Sequence, residues 1–383
     1  MRGKHLFNFG ISVIAVLLLC ASNSLQQTDF ISNCISQTSG SWSASGTWTQ
    51  CAGGVPQNGD SVTIMAGHTV VVNTNTNVIA SLTVNGTLTI GNNNSARTLT
   101  ISGSVLVHSG GTIQPYGLGA ATVHQLLIGG NFTNHGSFFI GSGNPKIYTI
   151  FNGTSTQIIS GSTVAAFYDL MVYSGATLEF PATTSPTIAH EMVNNGTVQQ
   201  TRPVNAASVQ FLTISTDRYR GVDISTNENL GNVTVKIRGN SGATCTNTGN
   251  TSPDYVSRCY EITPTIQGSA QVTLWALASE QNDIPTADLA PYRYTGSGWA
   301  KLTNISTGSG SNGYVFSRGD TTGFSAFLLG DTNFIPTAVK LHTTSATQTL
   351  PRLWFGLVTA ITLLLASWFL YKPQLTKTIK IHA

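Results

Sequence analysis

The 383-residue chain has 9% charged residues, against roughly a quarter in an ordinary soluble domain, and its net charge is only +3. So weak a basic excess excludes the dense cationic face that nucleic-acid binding requires, while 40% hydrophobic residues exclude simple disorder. With 39 glycines and abundant Ser, Thr and Asn, the composition is that of turn-rich β structure with a neutral polar surface, and it points to no catalytic function.

Residues 1–24 read as a signal peptide. Arg2, Lys4 and His5 give a positive start, and Ile11–Cys20 is a largely apolar run too short to span a bilayer. Ala21 and Ser22 then supply small residues for cleavage. Leu19 stands where lipidation of Cys20 would need a small residue. Residues 25–200 are expected to form a capped β-solenoid. The cap covers residues 30–72, where Trp42 and Trp48 can shield the open first coil.

From residue 60 to 200, short β-rich runs alternate with turns at Gly86, Gly103, Gly129, Gly153, Gly175 and Gly196. Gaps near 20 to 25 residues are the period of a solenoid coil, in which stacked coils bury an apolar face that one coil cannot. In Ser81–Val84, Leu82 and Val84 point one way and Ser81 and Thr83 the other. The competing reading is a set of Asn-Gly hairpins in a sandwich.

Charges return after residue 200, and about eight short strands at near ten-residue spacing predict an antiparallel β-sandwich over 201–335. Residues 336–350 are a Thr/Ser-rich stalk, 351–371 a transmembrane helix and 372–383 a cytoplasmic tail. The uncharged run Leu353–Tyr371 matches the hydrocarbon thickness at ~1.5 Å per residue. Lys372, Lys377 and Lys380 place the tail inside. The ectodomain between the two ends is slightly acidic. The fold class expected is therefore all-β, a solenoid followed by a sandwich, with one C-terminal membrane helix.

Cys20 leaves with the signal, so four cysteines remain. They allow three pairings, of which proximity favours Cys34–Cys51 and Cys245–Cys259. Each would close a loop of ~15 residues worth about 3 kcal/mol, in an exported, oxidising setting.

The series W-x₅-W at Trp42 and Trp48, GVP-x₂-GD-x-VTI at 54–64, GHTVVV at 67–72 and SLTVNGTLTI at 81–90 resembles the start of bacterial exported right-handed β-helix proteins. It is also similar to the domain named for its eight conserved glycines. FNGTSTQIISGS and FYDLMVYSGATL resemble a repeat of adhesin-like surface proteins, and RCYEITPTIQGSAQVTLW resembles a β-sandwich that follows such repeats. The resemblance implies a right-handed parallel solenoid and a role in surface display, adhesion or envelope architecture. It supplies no catalytic residue.

Chemistry is sparse. Asp169 and Glu191 lie about one coil apart and can stack on one face. His190-Glu191 is followed by Asn194 where a metalloprotease helix needs a second His, and a strand would set His190 and Glu191 on opposite faces. His68, His108, His124 and His135 read as surface or corner residues. Trp275, Tyr292, Tyr294 and Trp299 could form a row that stacks on sugars, with core packing as the alternative. No cofactor, metal site or catalytic residue is expected. The expected function is a non-catalytic, single-pass surface protein with an adhesive or envelope-structural role. Its partners would be the membrane and cell-envelope polysaccharide or other surface proteins. The alternative is a carbohydrate-binding or polysaccharide-cleaving protein that uses the solenoid face.

Overall fold

The computed structural model describes residues 31–117, 122–138, 146–182, 186–215, 217–239 and 255–332. The strands of the first half are β1 (Asn33–Ser36), β2 (Gly40–Ser41), β3 (Trp48–Thr49), β4 (Ser61–Ile64), β5 (Thr69–Val72), β6 (Val78–Ile79), β7 (Ser81–Val84), β8 (Thr87–Ile90), β9 (Thr98–Ile101) and β10 (Val105–Val107). They continue as β11 (Thr112–Pro115), β12 (Val123–Ile128), β13 (Phe132–Asn134), β14 (Ser137–Phe138), β15 (Lys146–Phe151), β16 (Thr156–Ser160), β17 (Ala166–Val172), β18 (Thr177–Phe180), β19 (Thr187–Asn194) and β20 (Thr197–Asn205).

These strands wind into a solenoid with three walls. The first sheet stacks β1, β4, β7, β10, β13, β16, β18 and β20; the second stacks β2, β5, β8, β11 and β14; the third stacks β6, β9, β12, β15, β17 and β19. The rungs pair in parallel, as in Ser61↔Ser81 and Val62↔Leu82. Hairpins are excluded as the repeating unit because consecutive strands pair with the next coil and not with each other. The alternation read from sequence holds: Leu82 and Val84 are buried, Ser81 and Thr83 half-buried.

Inward columns run along the stack. Val62, Leu82, Val105 and Phe132 line the first wall, and Ile79, Ile101, Ile128, Phe151 and Val172 line the third. Each fully buried side chain of this kind contributes about 1.5–3 kcal/mol. Larger rings fill the later coils, where Phe132, Phe138, Phe151 and Phe167 meet at centroid separations of 5.1 to 6.2 Å.

The turn glycines serve two different corners. Gly103, Gly129 and Gly153 sit between the third and first walls. A Cβ on Gly129 would run into the carbonyl oxygen of Ser102, and one on Gly153 into that of Gly129. The expected series began at Gly86, but Gly86 lies between β7 and β8, at the corner between the first and second walls. The gap from Gly86 to Gly103 is therefore not a coil, whereas the later gaps are.

At the N-terminal end β3 pairs antiparallel with β1. Trp42 and Trp48 are buried against each other in an edge-on pair 5.1 Å apart. Trp48 Nε1 donates to the carbonyl of Trp42 at 2.8 Å. Cys34 and Cys51 form a disulfide across this cap. Buried Asp60 anchors the entering chain, accepting from Ser32 N at 2.8 Å, Ser32 Oγ at 2.7 Å and Gln57 N at 2.8 Å.

The remaining strands are β21 (Ser208–Phe211), β22 (Val222–Ser225), β23 (Asn229–Arg238), β24 (Tyr255–Pro264), β25 (Ala270–Leu277), β26 (Leu289–Tyr294), β27 (Trp299–Lys301), β28 (Thr303–Ser309), β29 (Tyr314–Thr321) and β30 (Ala326–Asp331). They form two antiparallel layers. One continues the first wall in the order β20-β23-β24-β30-β26-β27, and the other runs β21-β22-β25-β29-β28. The strand β20 pairs in parallel with β18 on one side and antiparallel with β23 on the other. The change of composition at residue 200 thus falls inside one strand, and the sheet crosses it without interruption.

A buried ionic group lies between these layers. Arg258, 1% exposed, donates to the carbonyls of Arg220 (2.7 Å) and Trp275 (2.9 Å) and to Glu280 (3.0 Å). Its guanidinium lies over the Tyr219 ring at 4.8 Å. Burial works against the charge, but the Glu280 carboxylate and the surrounding tyrosines outweigh it and hold Arg258 protonated.

The expected signal peptide, stalk, membrane helix and tail lie outside the described residues, as does Cys245. Among the described residues no helix is long and apolar enough to cross a membrane.

Candidate functional site

The outer face of the third wall gathers most of the chemistry that the solenoid carries. Three strands build it: β15, β17 and β19. Strand alternation sends Tyr148 and Ile150 outward from β15, and Asp169 and Met171 outward from β17. Parallel register then aligns Tyr148 with Asp169 and Asp169 with Glu191. The next outward column aligns Ile150, Met171 and Val193, all half-buried.

A β-bulge modifies this pattern. Phe167 pairs with Ile188 and Asp169 with Glu191, so β19 carries one extra residue between the two pairs. Ala189, His190 and Glu191 are consequently all exposed. The expectation that His190 and Glu191 would occupy opposite faces is corrected here, because the bulge interrupts strict alternation at that point.

The bulge also creates a hydrogen-bonded cluster. His190 Nδ1 lies 2.6 Å from Asp169 Oδ1, and Glu191 N donates to the same oxygen at 3.1 Å. A carboxylate only accepts, so Nδ1 carries the proton of this contact. The imidazole stacks on Tyr168 at 5.2 Å and 11°, and Lys146 Nζ lies 4.2 Å from the centre of that ring. Lys146, Tyr168 and His190 therefore form a stack along the coil axis, one residue per rung. Burial pushes the Tyr148 hydroxyl up to about 12, and the charges of Asp169 and Glu191 add to the effect. It stays a neutral donor across the physiological range.

Asp169 and Glu191, singled out from sequence, are thus brought together in register. Lys146, Tyr148 and Tyr168 were not singled out as site residues, and His190 was weighed only against a metalloprotease motif. The signal that could have found them is coil spacing, since Tyr168 and His190 each follow their neighbour in the stack by one coil. Among the described residues no group of three or more His, Cys, Asp or Glu is placed to hold a metal ion.

The second candidate site does not assemble as a row. Trp275 is buried, with its Nε1 bonded to Asp223 Oδ2 at 2.9 Å and the Arg220 guanidinium 3.5 Å over its ring. Tyr292 is buried in the other layer and donates to the carbonyl of Asp331 at 2.7 Å. Tyr294 and Trp299 pair edge-on at 5.5 Å, and Trp299 packs against a small cluster that includes Tyr292. The four rings lie in different layers because Trp275 belongs to β25 and the others to β26 and β27.

The histidines divide similarly. His108 and His135 are exposed and His68 is half-buried. His124 departs from the surface or corner reading: it points inward from β12 and is fully buried. Its ring occupies the space that a Cβ on Gly91 would need, and its Nδ1 accepts from Arg97 N at 3.2 Å. Of the four cysteines, Cys34 and Cys51 are joined.

Residues 47–179 match the G8 domain family, in agreement with the resemblance carried by the W-x₅-W, GVP-x₂-GD-x-VTI, GHTVVV and SLTVNGTLTI motifs. The match begins in the cap and ends in β18, so Lys146, Tyr148, Tyr168 and Asp169 fall inside it while His190 and Glu191 lie beyond it. No curated protein matches the chain, and no solved structure does.

Proposed function

We propose that the chain is a non-catalytic, single-pass cell-surface protein with an adhesive or envelope-structural role. The solenoid and a β-sandwich would form its ectodomain, and the apolar run at 353–371 its membrane anchor. The observation that carries this reading is the disulfide-locked cap on a sheet that runs unbroken from β1 into one of the two antiparallel layers. A cap held by Cys34–Cys51 suits an oxidising compartment. A continuous sheet without a hinge suits a protein that presents one end at a distance from the other. The test is fractionation of cells that express the full chain, followed by protease treatment of intact cells. Recovery in the membrane fraction with a shaved ectodomain is expected; a soluble cytoplasmic protein overturns the reading.

A second reading is favoured by the in-register pair Asp169 and Glu191: a carbohydrate-binding or polysaccharide-cleaving protein that works on the solenoid face. Two carboxylates on neighbouring rungs, one bonded to an imidazole, are the groups that acid–base cleavage or hydroxyl recognition would use. Depolymerisation of a polysaccharide, abolished by Asp169→Ala, would favour cleavage over the non-catalytic role.

A further inference from the structure

The outer face of the third wall carries two adjacent columns of different chemistry, each repeated at the rung spacing. The polar column is Tyr148, Asp169 and Glu191, and the apolar column beside it is Ile150, Met171 and Val193. Tyr148 supplies a hydroxyl donor, and Asp169 and Glu191 supply carboxylate acceptors. Ile150, Met171 and Val193 are half-buried and present flat aliphatic surface. From these columns we infer that this face binds a neutral oligosaccharide lying along the coil axis, with ring hydroxyls on the polar column and C–H faces on the apolar one. The inference rests on the carbohydrate reading given second above and narrows it to one face, one orientation and one class of glycan.

Four points support that choice. A sugar ring is amphipathic: its hydroxyls need fixed partners and its C–H face needs apolar contact, and a site of mostly apolar surface with a few placed polar groups supplies both. The two columns are parallel and repeat every ~4.8 Å, so a polymer of one ring type meets the same pair of surfaces at successive rungs. The charge on the polar column is negative, and two carboxylates in register repel a uronate chain. His190 holds Asp169 through the 2.6 Å contact, which fixes the carboxylate before a ligand arrives.

The full chain is titrated calorimetrically with neutral β-linked gluco-, xylo-, manno- and N-acetylchito-oligosaccharides of two to six units, and with oligogalacturonates of the same lengths. Neutral oligosaccharides are expected to bind, with affinity rising about tenfold or more from two to four units as further rungs are engaged. Oligogalacturonates are expected to bind at least about tenfold more weakly. Glu191→Ala and Met171→Lys should each weaken neutral binding by about tenfold, whereas Thr83→Ala on the first wall should leave it unchanged. Circular-dichroism melts confirm folding, and because Glu191 is exposed, Glu191→Ala alone decides the matter if Met171→Lys fails to fold. Neutral binding unaffected by Glu191→Ala overturns this site while leaving the carbohydrate reading intact. Tighter binding of uronates overturns the ligand class, and binding of no oligosaccharide removes both.

Discussion

The buried Arg258–Glu280 pair offers the sharpest test of how the antiparallel layers are held. Replacing Arg258 with Met preserves much of the packing between Tyr219 and Tyr314 but removes three donations, to Arg220 O, Trp275 O and Glu280. The Trp275 carbonyl retains the Tyr260 hydroxyl at 2.5 Å. Glu280 fares worse. Its side chain is 6% exposed and would keep only the Leu277 amide at 2.7 Å. Removing one member of a buried ion pair strands the other charge and costs about 3–5 kcal/mol. Arg258→Met should therefore lower the urea midpoint of the full chain by an amount equivalent to ~3–5 kcal/mol, followed by circular dichroism and tryptophan emission at constant slope. Arg258→Met with Glu280→Gln removes the stranded charge and should recover about half of that loss. A single variant costing less than ~1 kcal/mol, or a double variant no better than the single, would refute the argument that an unpaired charge is what destabilises.

Three further outcomes follow from the solenoid. Gly129→Ala and Gly153→Ala force a Cβ against a backbone carbonyl of the preceding coil and should each cost about 2–3 kcal/mol in urea denaturation. Gly46→Ala, with nothing within 4 Å of the added carbon, should stay within ~0.5 kcal/mol. His124 is held below its ordinary value by burial and then by the charge of Arg97, so the unfolded chain takes up a proton that the folded chain resists. Stability should fall as pH drops through about 6.5, by up to ~1.4 kcal/mol per unit, and level off below the folded value. Denaturation profiles from pH 7 to 5 should be flatter for His124→Leu than for the unaltered chain. Cys51→Ser frees a loop of sequence separation 17 and should cost about 3 kcal/mol; an unchanged melting temperature would show that the two tryptophans close the cap without the bridge.

Much of the solenoid was legible because its rules are local and repeat. Two-residue alternation marked the inward positions of Ser81–Val84, and glycine spacing marked the coils from Gly103 onward. Gly86 misled because close backbone approach is demanded at more than one corner, and a glycine does not announce which corner it occupies. The column at Asp169 and Glu191 was visible from coil length alone. Its completion by His190 was hidden by a bulge, since one extra residue in β19 leaves no mark on composition. Antiparallel strands after residue 200 were legible in their near ten-residue spacing, whereas the order in which they pair was not. Nothing local could show that Arg258 would meet Glu280, or that Trp275 would be covered by Arg220, because those partners come from separate strands of two layers.

The three corners of the solenoid differ in how much chain they admit. Passage from the first wall to the second, and from the third back to the first, takes only a few residues, and at Gly86 and Gly129 an added methyl group would already collide with the coil before. Passage from the second wall to the third is longer, at 73–77 and 91–97. Strand register is set on either side of each such segment, so additional sequence can be accommodated there without shifting any rung. That corner is where a peptide epitope or a whole guest domain could be grafted, and where related chains would be free to differ in length while keeping the same core.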